Sequence, residues 1–130
     1  MSEYEQLREE FYKYLELQEE ERDIKNEIEA HKKLVSMIAN REDFRVIHNE
    51  EEFNDAVKYN NELRNALDER RAAEKRLNEI RNEIRSQEIR VSGLIPLQGV
   101  WIKIGGHMVK DIFRGIAIRD WDYMYDNNIW

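Results

Sequence analysis

Residues 63–91 have the sequence LRNALDERRAAEKRLNEIRNEIRSQEIRV, and this stretch decides the fold. Positions separated alternately by three and four residues fall on one stripe of a helix. The stripe contains mostly apolar or small residues: Leu63, Ala66, Arg70, Ala73, Leu77, Ile80, Ile84, Gln87 and Val91. Its alanines would allow a partner helix to approach closely. The spacing predicts a long helix that packs against another through a coiled-coil-like seam.

Signals at both ends set the length of this helix. Asn49 with Glu52 three residues later is typical of a capping box, which opens a helix near residue 50. Gly93 is a common residue just past a helix C-terminus, and Pro96 cannot continue a helix. We therefore predict a helix over about residues 50–91.

A second long helix is predicted at the start of the chain. Ser2 with Glu5 forms another capping-box pattern, and apolar residues recur at helical spacing from Leu7 to Ile38. We expect this helix over about residues 3–39 and a connection over 40–49. The two helices would pair as a long antiparallel hairpin.

Length and composition indicate how this hairpin is used. Helices of these lengths would extend roughly 55 and 63 Å, so we expect an elongated molecule. Each helix of a hairpin buries a single stripe, which rarely stabilises a fold alone. We therefore predict that homo-oligomerisation completes the burial. Charged residues make up 38% of the chain, which is too polar for a compact globule of this size. Helix pairing within one chain or by swapping between chains remains open.

The composition changes after Gly93, where we place a boundary between a helical hairpin (1–92) and a small β module (93–130). Residues 99–104 alternate as a strand, and Gly105-Gly106 suits a two-residue hairpin turn. Further strands are expected at 107–109 and 112–119. The predicted fold is mainly α, with a three-stranded antiparallel β module (α+β).

The aromatic residues of the β module are candidates for binding a protein partner. Trp and Tyr are enriched among the anchors of protein interfaces. The alternative is that these rings pack on the meander or on a neighbouring subunit. The candidate partner-binding residues are Trp101, Trp121, Tyr123, Tyr125 and Trp130.

The same module contains cations, which offer a second hypothesis. Cations and aromatic rings at a subunit interface could hold a small anionic ligand such as a nucleotide. The candidate ligand-binding residues are Lys103, His107, Lys110, Arg114 and Arg119.

Other chemistry has little support in the sequence. The chain contains no cysteine and no threonine, and its three histidines lie on separate predicted elements. We expect no catalytic residue, no metal site and no cofactor. The longest apolar stretch, 94–104, falls well short of the roughly twenty residues that span a bilayer. We therefore expect no binding to a membrane. With no cysteine in the chain, a cytoplasmic location is the simplest interpretation.

The net charge of −7 is concentrated near the start of the chain, where residues 1–30 hold eleven acids and four bases. This acidity is typical of a solvated helix face, and the alternative is a surface that mimics nucleic acid or docks on a basic partner. Basic residues of the second helix are interleaved with acids, so direct nucleic-acid binding is disfavoured.

The favoured function is that of a non-catalytic interaction protein, an adaptor or inhibitor, including one made by a phage against a host defence. Its helical hairpin would assemble with itself, and its β module would contact a protein partner. A nucleotide-binding protein with a pocket between subunits is the alternative.

Overall fold

The computed structural model describes residues 2–40, 46–112 and 115–122. Two long helices, α1 (Glu3–Ala39) and α2 (Glu50–Leu94), precede three short strands. The strands are β1 (Ile102–Ile104), β2 (His107–Ile112) and β3 (Gly115–Asp120). The helices pack together, and the strands form one antiparallel sheet. The predicted fold class, mainly α with a small antiparallel β module, is confirmed.

Both predicted helix starts are capped by the side chains that the sequence suggested. The Glu5 amide donates to Ser2 Oγ at 3.1 Å, and the Glu52 amide donates to Asn49 Oδ1 at 2.8 Å. The Glu52 carboxylate accepts the amide of His48 at 2.7 Å. Because the first amides of a helix have no partner within the helix, these side chains fix where each helix begins.

The end of α2 lies three residues beyond the predicted residue 91. Gly93 belongs to the last turn of the helix, which ends at Leu94. The amide of Ile95 then donates to the carbonyl of Ser92 at 3.2 Å. Pro96 follows at once and has no amide with which to extend the ladder.

The chain divides into two compact units. Unit 1 consists of Met1–Gln18 and Asn82–Trp130, and unit 2 is Glu19–Arg81. Each long helix contributes residues to both units. Compactness and independent folding are different properties, so the predicted domain boundary after residue 92 stays a prediction.

Unit 2 is a helix pair with a narrow core. Its buried apolar residues are Ile28, Ile38, Ala66, Ala73 and Ile80. The two alanines therefore occupy the seam, as their spacing predicted. Ion pairs join the helices beside this seam, with Arg76 at 2.6 Å from Glu27 and Arg81 at 3.4 Å from Glu21.

Unit 1 has a core to which both helices and the sheet contribute. Its buried members are Leu7, Phe11 and Tyr14 from α1, Val91 from α2, Ile95, and Ile104 and Val109 from the sheet. Three short strands need another apolar layer to be stable. In unit 1 the first turns of α1 and the last turns of α2 supply that layer.

All three strands differ from their predicted bounds, and the third runs over Gly115–Asp120 instead of 112–119. The first strand begins at Ile102 instead of residue 99, because Gly99 has a φ of 81° and its amide donates to the carbonyl of Asp111 at 3.0 Å. The second strand continues to Ile112, which pairs with Gly115. The expected Gly-Gly turn is present, with a φ of 60° at Gly105.

In the described ranges, neither helix has a segment both long and apolar enough to cross a membrane.

Candidate functional site

The two faces of the sheet have different surroundings. Side chains alternate between the faces of a strand, so residues paired across the sheet share a face. The row Ile102, Val109 and Ile118 belongs to the core of unit 1 or packs against it. The neighbouring row, Lys103, Met108 and Arg119, therefore lies on the opposite side, which we call the outer face.

Trp101 and two cations form one cluster on the outer face. The Lys110 ammonium lies 4.7 Å from the centroid of the Trp101 ring, and the Arg119 guanidinium lies 5.6 Å from it. A cation within about 6 Å of an indole is attracted by the negative face of the ring. The contacts hold side chains of β2 and β3 beside a ring that precedes β1.

A second cluster joins β1 to the residues after β3. The Lys103 ammonium lies 4.1 Å from the centroid of the Trp121 ring. The Trp121 amide donates to the carbonyl of Gly106 at 3.0 Å, which fixes the backbone at this position. The two indoles therefore lie among three cations on one side of the sheet.

The charge of the outer face is not balanced by neighbouring acids in the described part of the chain. All ion pairs between described residues are formed by side chains of the two helices or by His48. Lys103, Lys110 and Arg119 take part in none of them. The carboxylates of β2 and β3, Asp111 and Asp120, occupy alternate positions that belong to the other face. Among the described residues, the outer face therefore has three cations without an ion-pair partner, in a chain whose net charge is −7.

Met108, which the sequence did not single out, forms the floor of this surface. It pairs with Lys103 on one side and Arg119 on the other, and only 7% of its area is exposed. The strand alternation of β2 places it beside Lys110, so a longer predicted second strand would have revealed it.

His107 lies away from the other candidate ligand-binding residues. It pairs with Ile104 on the helix-facing side of the sheet, and its ring meets Phe11 edge-on at 5.7 Å between centroids. The structure therefore brings together Lys103, Lys110 and Arg119 with Trp101 and Trp121, and it places His107 on the opposite face.

The remaining candidates lie outside the described residues. These are Arg114 among the ligand-binding candidates and Tyr123, Tyr125 and Trp130 among the partner-binding ones.

Two tyrosines of α1 position the sheet edge that carries Lys103. The Tyr4 hydroxyl donates to the Lys103 carbonyl at 3.2 Å. A Cβ atom added to Gly105 would lie 2.7 Å from the Tyr12 hydroxyl, so the turn and this side chain are in close contact. Both tyrosines are half exposed, and in the sequence they appear only as aromatic residues beside the apolar stripe.

A groove of about 550 Å³ lies on the helices of unit 1, away from the candidate residues. It is lined by Gln6, Glu9 and Glu10 of α1 and by Ile89, Arg90, Gly93 and Leu94 of α2. The amide of Gln87 donates a hydrogen bond to the carboxylate of Glu10, and this bond lowers the pKa of Glu10 below its ordinary value. Glu9 and Glu10 together give the groove an acidic wall on the side of α1.

Comparison with known proteins gives no relative: no protein family, curated protein or solved structure matches this chain. Among the described residues, no three acidic or histidine side chains are grouped as a metal site would need.

Proposed function

We propose that this chain is a non-catalytic interaction protein, an adaptor or inhibitor, whose outer face binds an acidic segment of a partner protein. The observation that carries the proposal is the grouping of Lys103, Lys110 and Arg119 with Trp101 and Trp121 on one sheet face. Among the described residues these cations make no ion pair with a carboxylate, which supports the binding of acids from a partner.

The chemistry of this face suits a protein partner. Indoles bury a large area at low entropic cost, and arginine and tryptophan are the commonest energetic anchors of interfaces. Positive charge on a generally acidic protein also orients the encounter, because the rest of the surface repels the same acidic partner. Partner carboxylates would pair with cations that are already held in place by the rings.

We also propose that the chain acts in the cytoplasm and assembles with itself through unit 2. Support comes from large apolar side chains that unit 2 leaves exposed, including Met37 (71% exposed) and Phe53 (56%). A two-helix layer buries one stripe per helix, and a second copy would cover the remainder. Light scattering of Met37→Glu/Phe53→Glu tests this, and an unchanged mass relative to the parent would contradict it.

A small anionic ligand, such as a nucleotide, is the second candidate. The approach of both Lys110 and Arg119 to Trp101 favours it, because the same three groups could stack on a base and pair with a phosphate. This candidate predicts binding of ATP in place of an acidic peptide.

The test measures binding of a sixteen-residue polyglutamate peptide by isothermal titration calorimetry at low salt. Lys110→Glu/Arg119→Glu should weaken binding at least about tenfold, because cations that pair with the peptide become anions. The control, Lys33→Glu/Lys58→Glu, makes the same change in net charge at exposed positions of α1 and α2.

The two double variants separate the possible results. Equal weakening by both would mean that only net charge matters, and the proposed role of the outer face would be wrong. Binding of ATP, lost in Trp101→Ala and not competed by polyglutamate, would favour the small-ligand candidate.

A further inference from the structure

The two edge strands of the sheet differ in the hydrogen bonds that their outward backbone groups make. Its strand order is β1-β2-β3, so β1 and β3 are the edge strands. At the edge of β1, the Tyr4 hydroxyl donates a hydrogen bond to the backbone carbonyl of Lys103 at 3.2 Å. No described residue makes a comparable bond to the outer edge of β3. Edge strands with unpaired backbone groups are templates for a further strand.

The register identifies which groups of β3 point outward. In an antiparallel pair, hydrogen-bonded and non-hydrogen-bonded positions alternate. The Trp121 amide donates to Gly106 of the preceding turn, which makes Trp121 a hydrogen-bonded position. Counting back by two, Arg119 and Ala117 also bond toward β2. The backbone N–H and C=O groups of Ile116, Ile118 and Asp120 therefore face away from the sheet.

The side chains of β3 specify what could pair there. Ile116 and Ile118 are half buried against the core of unit 1, and Ala117 and Arg119 lie on the outer face. A strand added beside β3 would extend both the helix-facing side and the outer face of the sheet. Opposite the isoleucines it needs apolar side chains, and opposite Arg119 it needs an acid.

A second copy of β3 fits this edge poorly. Pairing two copies would join two outer faces into one surface with both sets of Lys103, Lys110 and Arg119. Like charges brought together on one sheet face are destabilising, and no described carboxylate offsets them. The charge of the outer face therefore favours an acidic strand from another protein.

We propose that β3 accepts an extended acidic segment of the partner as a fourth, antiparallel strand, with alternating apolar and acidic residues. The proposal rests on the acid-binding function of the outer face and adds the binding mode. Main-chain bonds to Ile116, Ile118 and Asp120 hold the segment, and the alternate side chains select it.

The experiment compares peptides of one composition on the full chain. The probe is the blocked peptide SEVEVEVS, and the control, SEEEVVVS, has the same residues without alternation. In antiparallel pairing the residues opposite Ile116 and Ile118 exchange both backbone bonds and carry the apolar side chains. N-methylation of the three valines should therefore weaken binding at least about tenfold. N-methylation of the three glutamates should leave binding within about threefold.

Amide exchange by NMR gives a second readout that needs no variant. On addition of SEVEVEVS, the amide protons of Ile116 and Ile118 should become protected from exchange. The amide proton of Ala117 should change little, because it already bonds to β2 within the sheet. Slow exchange of the Ile116 and Ile118 amide protons without peptide would overturn the proposal, because the edge of β3 would then already be covered in the protein.

The outcomes separate this proposal from the function on which it rests. If all four peptides bind equally and Lys110→Glu/Arg119→Glu weakens each, acid binding stands and strand pairing is overturned. If the N-methylated valine peptide alone loses binding but the double variant binds as the parent, strand pairing stands and the outer face is not the acid site.

Discussion

The side-chain amide of Gln87 on α2 donates to the main-chain carbonyl of Glu10 on α1 at 2.8 Å and also to the Glu10 carboxylate. Gln87 is only 7% exposed, although it occupies a position of the seam that is otherwise mostly apolar or small. A buried amide must find partners, and here one helix supplies both of them to the other.

Replacing this amide should destabilise the protein. Gln87→Leu leaves the Glu10 groups without their partner, and we expect a loss of about 1–2 kcal/mol in the free energy of unfolding. The pKa of Glu10 should rise toward its ordinary value, which a carboxyl NMR titration would detect. Gln6→Leu, at an exposed position of α1, is the control for urea unfolding. A Gln87→Leu protein as stable as the parent would contradict the role of the bond.

Enlarging the seam alanine should be costly. Ala73 has no exposed area, so Ala73→Leu should destabilise by about 1–3 kcal/mol because the helices must separate or the side chain must leave its preferred rotamer. Ala72→Leu makes the same change at the adjacent, exposed position and should be nearly neutral. Thermal melts of the two variants compare them directly, and equal midpoints would show that close packing at Ala73 is unimportant.

The turn glycines should differ in their tolerance of alanine. Gly105 has a φ of 60° and a close neighbour in Tyr12, whereas a Cβ on Gly106 would meet nothing within 4 Å. Gly105→Ala should cost about 1–2 kcal/mol from the left-handed backbone. Gly106→Ala should cost less. Adding Tyr12→Phe to Gly105→Ala should restore little of the lost stability. The Tyr12 side chain can move away from the new methyl group, whereas the strained backbone at residue 105 cannot relax.

Acid should weaken unit 2 through Glu27. Hydrogen bonds from Arg76 and then His31 lower the pKa of Glu27 below its ordinary value of 4.5. Because the folded-state pKa is the lower one, this stabilisation is present above about pH 4.5 and is lost as the pH falls through the folded value. Arg76→Ala should reduce the difference in stability between pH 6 and pH 3. Arg71→Ala, whose guanidinium is exposed and lies 3.8 Å from Asp68, should preserve it.

Local signals explain why the helices were predictable. Ser2 and Asn49 are capping residues whose effect is confined to three or four neighbours, so the helix starts agree with the structure. The end of α2 was less predictable, because Gly93 is compatible with both a last helical turn and a stop. Pro96 correctly indicated the position that the helix cannot pass, since α2 ends at Leu94.

The strand ends depend on distant contacts that sequence periodicity does not contain. Asp111 lies between the predicted second and third strands, yet its carboxylate accepts a hydrogen bond from the Ser92 hydroxyl at 2.9 Å and its carbonyl accepts one from the Gly99 amide. These bonds extend β2 past the predicted residue 109. The outer face was partly predictable, since Lys103, Lys110 and Arg119 were candidates. The separation of His107 from them follows from the strand register.

Unit 1 is built from the two ends of the chain, and this affects the order in which the protein can fold during synthesis. Leu7 and Phe11 are made about a hundred residues before Ile104 and Val109, which complete their core. The helix pair of unit 2 has all its residues available before then. We expect chaperones to bind the first turns of α1 until the strands of the sheet have been made, because apolar groups without their packing partners are prone to aggregate.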